Sequence, residues 1–438
     1  MITVNAGPGQ GYVHVYTTGA KVTGLYLKVG TYVSVTGTGS TATSIVASTV
    51  AVFRDAASSR IVPHVLTADY LGGSNGTHAI SWAAAAPLLT WAETNQADAP
   101  AIHAAGIKTM LYVDPNREQS GSQMDTPNPA AYAYDCNGNR VYDTYASNVK
   151  QYVTDPSSSA MQSVFATYSA SVASAAPFDA LFEDDGGPLS EFVPYTPFSA
   201  MPCGYSDAAW ISGEIALNQA SALPVIVNGL SGLNGHLPSL GIGVLAGANA
   251  LGGTLEQCYA STGQPEMNGW LWLAIENSEL QVAAMHKLFE CMAGDSQPGA
   301  SSIASRTFAF ASFLLSYDPS TSVYRTEYGT PSGLHVFPET GLVALNPAVA
   351  APASIAGLQQ PGGTYAREFA ACYLAGTFVG GCAVVVNSDT AAHAFPFAKY
   401  RHSLTLAGAG TLDGGAASAA GPPPASSLAA QTAAIVFP

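Results

Sequence analysis

Three consecutive carboxylates, Glu183, Asp184 and Asp185, close the apolar run FDALFED and are followed by two glycines. Like charges this close repel one another, so burying them needs hydrogen bonds, a neighbouring cation or at least one raised pKa. Other apolar runs end in polar residues too. TMLYV leads into Asp114, Asn116, Arg117 and Glu118, VIVN ends on Asn228, GTLE ends on Glu256, and LFECMAGDS carries Glu290 and Asp295. Carboxylates at the ends of separate strands suit glycosidic bond cleavage, in which one acid protonates the leaving oxygen and the other attacks or stabilises an oxocarbenium-like carbon. A separation of about 5–5.5 Å goes with retention and about 6.5–9.5 Å with inversion. Side-chain alternation puts Asp184 in phase with Phe182 and Ala180, and Asp185 in phase with Glu183, so neighbouring acids cannot face the same way. The plainer alternative has Asp185 capping the next segment, Asp184 in a loop ion pair, and Glu256 paired with a nearby Arg or Lys.

The elements that must position these residues alternate between β-rich segments and Ala-rich helical stretches, the pattern of parallel βα units. The proposed strands are IVPHVLT (from Ile61), IKTMLYV (from Ile107), AYAYD (from Ala131), FDALFED (from Phe178), LPVIVNG (from Leu223), GGTLEQCY (from Gly252), HKLFECMA (from His286) and TSVYRTE (from Thr321). The stretch from Ser81 to Gly106 and the segments SSSAMQSVFATYSASVASA, SDAAWISGEIALNQAS, SELQVAAM and SIASRTFAFASFLLSY read as helices, several opening on Ser or Asp caps. The fold class is therefore α/β: a (β/α)₈ barrel over residues 58–330, preceded by a small N-terminal β region of short antiparallel strands (1–57) and followed by a C-terminal antiparallel β-sandwich domain (331–438). Barrel active sites lie at the C-terminal strand ends. That places Asp184 after the fourth strand and Glu256 on the sixth.

The 438 residues suffice for a barrel of roughly 250 residues with accessory β structure. With Lys+Arg 14 against Asp+Glu 29 and a net charge of −15, the chain repels phosphate backbones and anionic headgroups, so nucleic acid is not an expected partner and a neutral glycan is. Charged residues make up only 10%, and no apolar run is long enough for a membrane span. A secreted or periplasmic protein whose signal peptide has been removed is expected; oligomeric state is left open. The six cysteines have no metal-ligand spacing. Cys372 and Cys382 flank a hairpin signal and could pair, and Cys258 and Cys291 would end neighbouring strands, with buried free thiols as the alternative.

Sugar faces stack on aromatic rings, and Tyr70, Tyr112, Tyr259, Trp270 and Trp272 lie near proposed strand ends. Each has ordinary core packing as its alternative, and Trp270 and Trp272, after Met267-Asn268-Gly269, are the best placed to be exposed. GPGQG near the start and GIGVLAGANALGG lack the context of phosphate loops and read as turns. Asp135 to Asn139 lacks the glycine a calcium loop requires, Arg140 standing there, and reads as a hairpin turn. His64 reads as a core residue, Asn75-Gly76-Thr77 as a chance sequon, and Glu276 to Glu279 as a helix-start run that offsets the dipole. No metal or cofactor is expected.

The ordered motifs DCNGNRVYD, YVTDPSSSAMQSVFATY, FDALFEDDGG, VIVNGL and GTLEQCY, with YAREFAACYLAGTFVGGCAVVVNSD opening the C-terminal region, resemble those of the hypothetical glycosyl hydrolase families, distant relatives of dextranase-like and α-galactosidase-like barrels. The resemblance covers roughly residues 60 to 390. It implies Asp184 as nucleophile, Glu256 as acid/base, and Asp114, Asn228 and Asp185 as sugar-hydroxyl ligands. Glu183 stands where those families show an apolar residue, which leaves open which of the three acids attacks and adds Glu183 to the substrate-binding candidates with Tyr259, Trp270 and Trp272. The expectation is a retaining hydrolase of a neutral glycan. A carbohydrate-binding protein without catalysis and a transglycosidase are the alternatives.

Overall fold

Short apolar strands separated by helices pair in parallel, because a crossover helix returns the chain to the same end of the sheet. The computed structural model describes residues 2–5, 12–16, 21–24, 32–41, 44–54, 65–68, 82, 89–118, 121–122, 124–143, 150–192, 198–230, 241–256, 258–259, 270–292, 303–318, 321–328, 335–336, 338–348, 350–374, 377–407, 410–411, 417–422 and 425–438. The parallel strands are β1 (Val65–Ala68), β2 (Leu89–Glu93), β3 (Lys108–Val113), β4 (Ala180–Glu183), β5 (Val225–Asn228), β6 (Ala250–Glu256), β7 (Leu288–Met292) and β8 (Ser322–Tyr328). Each pairs with the next in sequence, and β8 returns to β1, so the sheet closes as a barrel. Trp91, Met110, Phe182, Ile226 and Val323 form one buried cluster contributed by five of these strands.

Two of the strand assignments change. Leu89–Glu93 is a barrel strand, not part of a long helix, and only Ala99–Ala104 behind it is helical. Its run is buried on both faces, so it has no alternation to distinguish it from a helix, and the alanines before it raise the apparent helix propensity. AYAYD is not a barrel strand. Pro129–Ala131 is a 3₁₀ turn, Tyr132 and Tyr134 form isolated bridges to Thr154 and Arg140, and the chain turns at Gly138 with φ +81°. These errors offset one another, so Asp184 still follows the fourth strand and Glu256 still ends the sixth.

Helix Ser159–Ala175 starts at Ser158, whose hydroxyl accepts from Ala160 N–H, and helix Asp207–Ala220 starts at Ser206, which accepts from Ala209 N–H. Such caps contribute about 1 kcal/mol each. Helix Trp270–Ala284 begins well before the expected SELQVAAM and carries Glu276 and Glu279 fully buried in its middle. They are not a solvated helix start: Ser316 Oγ donates to Glu276, and Tyr259 lies beside Glu279.

Before the barrel, strands Ile2–Asn5, Tyr12–Tyr16, Lys21–Gly24, Tyr32–Thr41 and Ser44–Arg54 share one sheet. It is mixed rather than purely antiparallel, since Tyr12–Tyr16 and Lys21–Gly24 both pair in parallel with Ser44–Arg54. After the barrel, an antiparallel sheet runs Leu342–Pro347, Tyr365–Leu374, Thr377–Asn387, Thr432–Phe437, His402–Ala407, Ala417–Ala420. Phe369, Val384 and Phe437 of this sheet share a core with Phe310 and Phe313 of helix Ile303–Ser316.

All six cysteines pair, as Cys136–Cys203, Cys258–Cys291 and Cys372–Cys382. The second and third are the neighbours expected from the strand pattern, and the first ties the segment after β3 to the loop before helix Asp207–Ala220. Among the described residues, no helix is long and apolar enough to cross a membrane. GPGQG, His64, Tyr70, the sequon at Asn75, Met267 to Gly269 and Asp295 lie outside the described residues.

Candidate active site

β3 and β4 are neighbours with Val113 opposite Glu183. The next residue on each, Asp114 and Asp184, therefore emerges at the same C-terminal end of the barrel. Asp184 N–H donates to Val113 C=O at 2.8 Å, which extends the ladder one residue past the strand. Its half-buried carboxylate accepts from three donors: the Tyr112 hydroxyl to Oδ2 at 2.6 Å, Asn228 Nδ2 to Oδ1 at 2.7 Å, and the backbone N–H of Asp185 to Oδ1 at 3.0 Å. Tyr112, Asp184 and Asn228 come from the ends of β3, β4 and β5. Alternation points all three inward, since Tyr112 and Phe182 stack at 6.1 Å and Ile226 belongs to the same interior cluster. Bonds from three neutral donors hold this carboxylate in one orientation.

Asp185 faces away from Asp184. It has φ +53°, a left-handed conformation uncommon for a residue with a Cβ, and its Oδ2 lies 2.7 Å from Arg117 Nη1. Arg117 Nε is 3.2 Å from Asp143 Oδ2, and the guanidinium lies over the rings of Phe192 at 5.0 Å and Phe198 at 5.4 Å. The turn leaves no room at Gly186, where a Cβ would meet Val227 Cγ1 at 2.5 Å, and Gly186 N–H bonds to Asn228 C=O at 2.8 Å.

Asp114 turns the chain after β3, its Oδ1 accepting the N–H groups of Asn116 at 3.1 Å and Arg117 at 3.0 Å. Burial pushes its carboxyl well above the ordinary range, the charges of Asp185 and Asp184 push the same way, and Arg117 opposes them. A protonatable acid thus stands beside a fixed carboxylate.

Glu183 does not reach this mouth. It is fully buried, with Asn116 Nδ2 at 3.5 Å from Oε1 and with Asn218 and Glu214 of helix Asp207–Ala220 as its other neighbours. Burial raises its carboxyl to about 8 against the hydrogen bonds of Asn218 and Asn116. Alternation turns it outward onto a helix, away from the end of the barrel where Asp184 stands.

Inside the barrel, Arg325 Nη1 lies 3.0 Å from both Glu93 Oε2 and Glu290 Oε1, and Thr254 Oγ1 donates to Glu290 Oε2 at 2.6 Å. Burial raises Glu93 to about 7 against the pull of Arg325, and the charges of Glu290 and Asp184 add to the rise.

Glu256 ends β6 opposite Met292, two residues past Thr254. Trp270 is the first residue of its helix. The side chains of both lie outside the described residues. Tyr259 and Trp272 present no face to solvent. Tyr259 is 2% exposed with its hydroxyl 3.4 Å from Glu279 Oε2, while Trp272 is fully buried, bonded from Nε1 to Ser312 Oγ at 2.9 Å and packed on Tyr365. The expected exposure of Trp272 is corrected: its helix packs this face against helix Ile303–Ser316 and the C-terminal sheet.

Sequence reasoning weighed Tyr112 as a core ring or a sugar platform and missed its hydroxyl as a donor to Asp184; the Arg117–Asp143 pair and the Arg325 cluster were also missed. A signal existed for Arg117, since one of only 14 basic residues stands within a run of acids.

The chain matches no family model and no curated protein sequence. Its fold is similar to solved glycoside hydrolases. The glycoside hydrolase domain of PelA from Pseudomonas aeruginosa is 12% identical with a TM-score of 0.38, over 60% of this chain and 93% of that one. Aspergillus fumigatus Ega3, in complex with galactosamine, is 11% identical with a TM-score of 0.36, over 61% and 91%. The α-galactosidase of Thermus thermophilus, in complex with stachyose, is 14% identical with a TM-score of 0.34, over 52% and 48%.

Proposed function

We propose that the chain is a retaining glycoside hydrolase acting on a neutral poly- or oligosaccharide. The observation that carries this reading is the Asp184 carboxylate, fixed by Tyr112, Asn228 and the Asp185 N–H at the C-terminal mouth of a parallel barrel. A carboxylate so held meets an anomeric carbon without reorganising.

In the first step, Asp184 Oδ forms a bond to the anomeric carbon as the glycosidic C–O bond breaks, and Glu256 gives its proton to the departing oxygen. In the second, Glu256 takes a proton from water, whose oxygen displaces Asp184 and restores the original configuration. Asp114 is placed to meet sugar hydroxyls, and Trp270, at the start of its helix, is the platform candidate. Asn228 and Asp185 act mainly on Asp184 instead. The catalytic unit is a (β/α)₈ barrel over 58–330, flanked by a small N-terminal β region at 1–57 and a C-terminal β-sandwich domain at 331–438. Three disulfides and the low content of charged residues suit secretion, and the net charge of −15 favours an uncharged substrate.

The test is a screen of wild type, Asp184→Asn and Glu256→Gln against aryl glycosides and plant, fungal and bacterial polysaccharides. Hydrolysis by wild type that both variants lose, with glycan binding retained in Asp184→Asn, supports the reading. Activity surviving both substitutions, or binding without turnover in wild type, overturns it.

A further inference from the structure

We propose that Arg117, clamped by Asp143, is the positioning residue of this site: it holds Asp185 in the one backbone conformation that aims the Asp185 N–H at Asp184 Oδ1. The inference rests on reading Asp184 as the attacking group.

The chain of contacts is continuous. Asp185 adopts φ +53° although it is not glycine, a conformation that costs on the order of 1–3 kcal/mol and persists only where surroundings impose it. What imposes it here is the ion pair from Asp185 Oδ2 to Arg117 Nη1 at 2.7 Å, supported by the Gly186 N–H bond to Asn228 C=O. In that conformation the Asp185 N–H lies 3.0 Å from Asp184 Oδ1. The donor that Arg117 positions is thus a backbone group, which no side-chain substitution at Asp185 removes.

Arg117 is itself fixed on every side. Its N–H is held by Asp114 Oδ1, its Nε lies beside Asp143 Oδ2, and Phe192 and Phe198 cover its guanidinium. With the side chain 5% exposed, it has little surface to offer a sugar, so its influence on Asp184 passes through Asp185. The guanidinium sets Nη1 beside Asp185 and Nε in ion-pair distance of Asp143, a spread of charge over two carboxylates that a compact lysine ammonium does not reproduce. Arg117 also supplies the positive charge that lets Asp114, Asp143, Asp184 and Asp185 share one end of the barrel.

The experiment compares wild type with Arg117→Lys, Arg117→Met and the near-isosteric Asp143→Asn, each checked for folding by circular dichroism and Tm. The first readout needs no substrate. Hydrogen exchange of the Asp185 amide is followed in ¹⁵N-aspartate-labelled protein, the resonance being assigned by its loss in Asp185→Asn. Exchange at least 10-fold faster than wild type is expected in all three variants, with Asp143→Asn the least affected. The second readout is kcat on a hydrolysed glycoside. It should fall at least 10-fold in Arg117→Lys with KM within about 3-fold. Unchanged Asp185 exchange in folded Arg117→Lys and Asp143→Asn overturns the proposal, even if Asp184→Asn abolishes turnover and the hydrolase reading stands. Faster exchange in a protein that hydrolyses no glycoside leaves the positioning of Asp184 intact and removes the hydrolase reading instead.

Discussion

The Tyr112 hydroxyl donates to Asp184 Oδ2 at 2.6 Å across two adjacent strands, and the parallel register that sets Tyr112 opposite Phe182 and Val113 opposite Glu183 makes this meeting unavoidable. Tyr112→Phe keeps the ring and its stacking on Phe182 but removes the donor. A hydrogen bond to a charged acceptor contributes roughly 1.5–3 kcal/mol, so kcat/KM is expected to fall about 10- to 150-fold with little change in Tm. A kcat/KM indistinguishable from wild type in folded Tyr112→Phe would remove Tyr112 from the site.

Arg325 is 2% exposed between Glu93 and Glu290. Arg325→Met strands two buried carboxylates without their cation, and breaking such a cluster costs about 3–5 kcal/mol. A large fall in Tm is expected for this variant at neutral pH. Combining it with Glu93→Gln and Glu290→Gln should recover most of that loss, because no buried charge is then left unmatched. Equal Tm values in the single and triple variants would show that packing, not charge, holds the barrel interior.

Thermal stability should decline as pH rises from mildly acidic to mildly alkaline. Burial raises Glu118, Glu183 and Glu191 to about 8 and Glu93 to about 7, each from an ordinary value of 4.5. Between 4.5 and about 8 the folded protein keeps protons that the unfolded chain has released, so each unit of pH in that window favours unfolding. The stabilising contribution is complete below 4.5 and gone above about 8. Calorimetry at pH 5 and pH 8 should give the higher Tm at pH 5; the reverse order would mean that these carboxyls are ionised in the folded state.

The strand ends were legible because VIVN, FDALFED and TMLYV combine β-rich composition with a polar terminus, and barrel chemistry sits at such ends. Leu89–Glu93 was not, since a strand buried on both faces carries no alternation and alanines precede it. Asp184 could be singled out by its charge and phase, but its partners could not. The hydroxyl of Tyr112 and the amide of Asn228 meet it through strand order, which a linear pattern does not encode. Glu183 misled for a physical reason: a carboxyl beside Asp184 faces the opposite side of its strand, where burial raises it to about 8. Trp272 misled in the same way, because a residue following a glycine turn looks exposed until a second sheet packs over its helix.

The most direct measurement is peptide mapping by mass spectrometry after incubation with a panel of 2-deoxy-2-fluoroglycosyl fluorides, slow substrates that accumulate the glycosyl-enzyme of a retaining hydrolase. The account expects one sugar of the panel to add its mass to the peptide containing Asp184, and Asp184→Asn to remain unlabelled. A label on Asp114 or any other acid, or no label from any member of the panel, would contradict it.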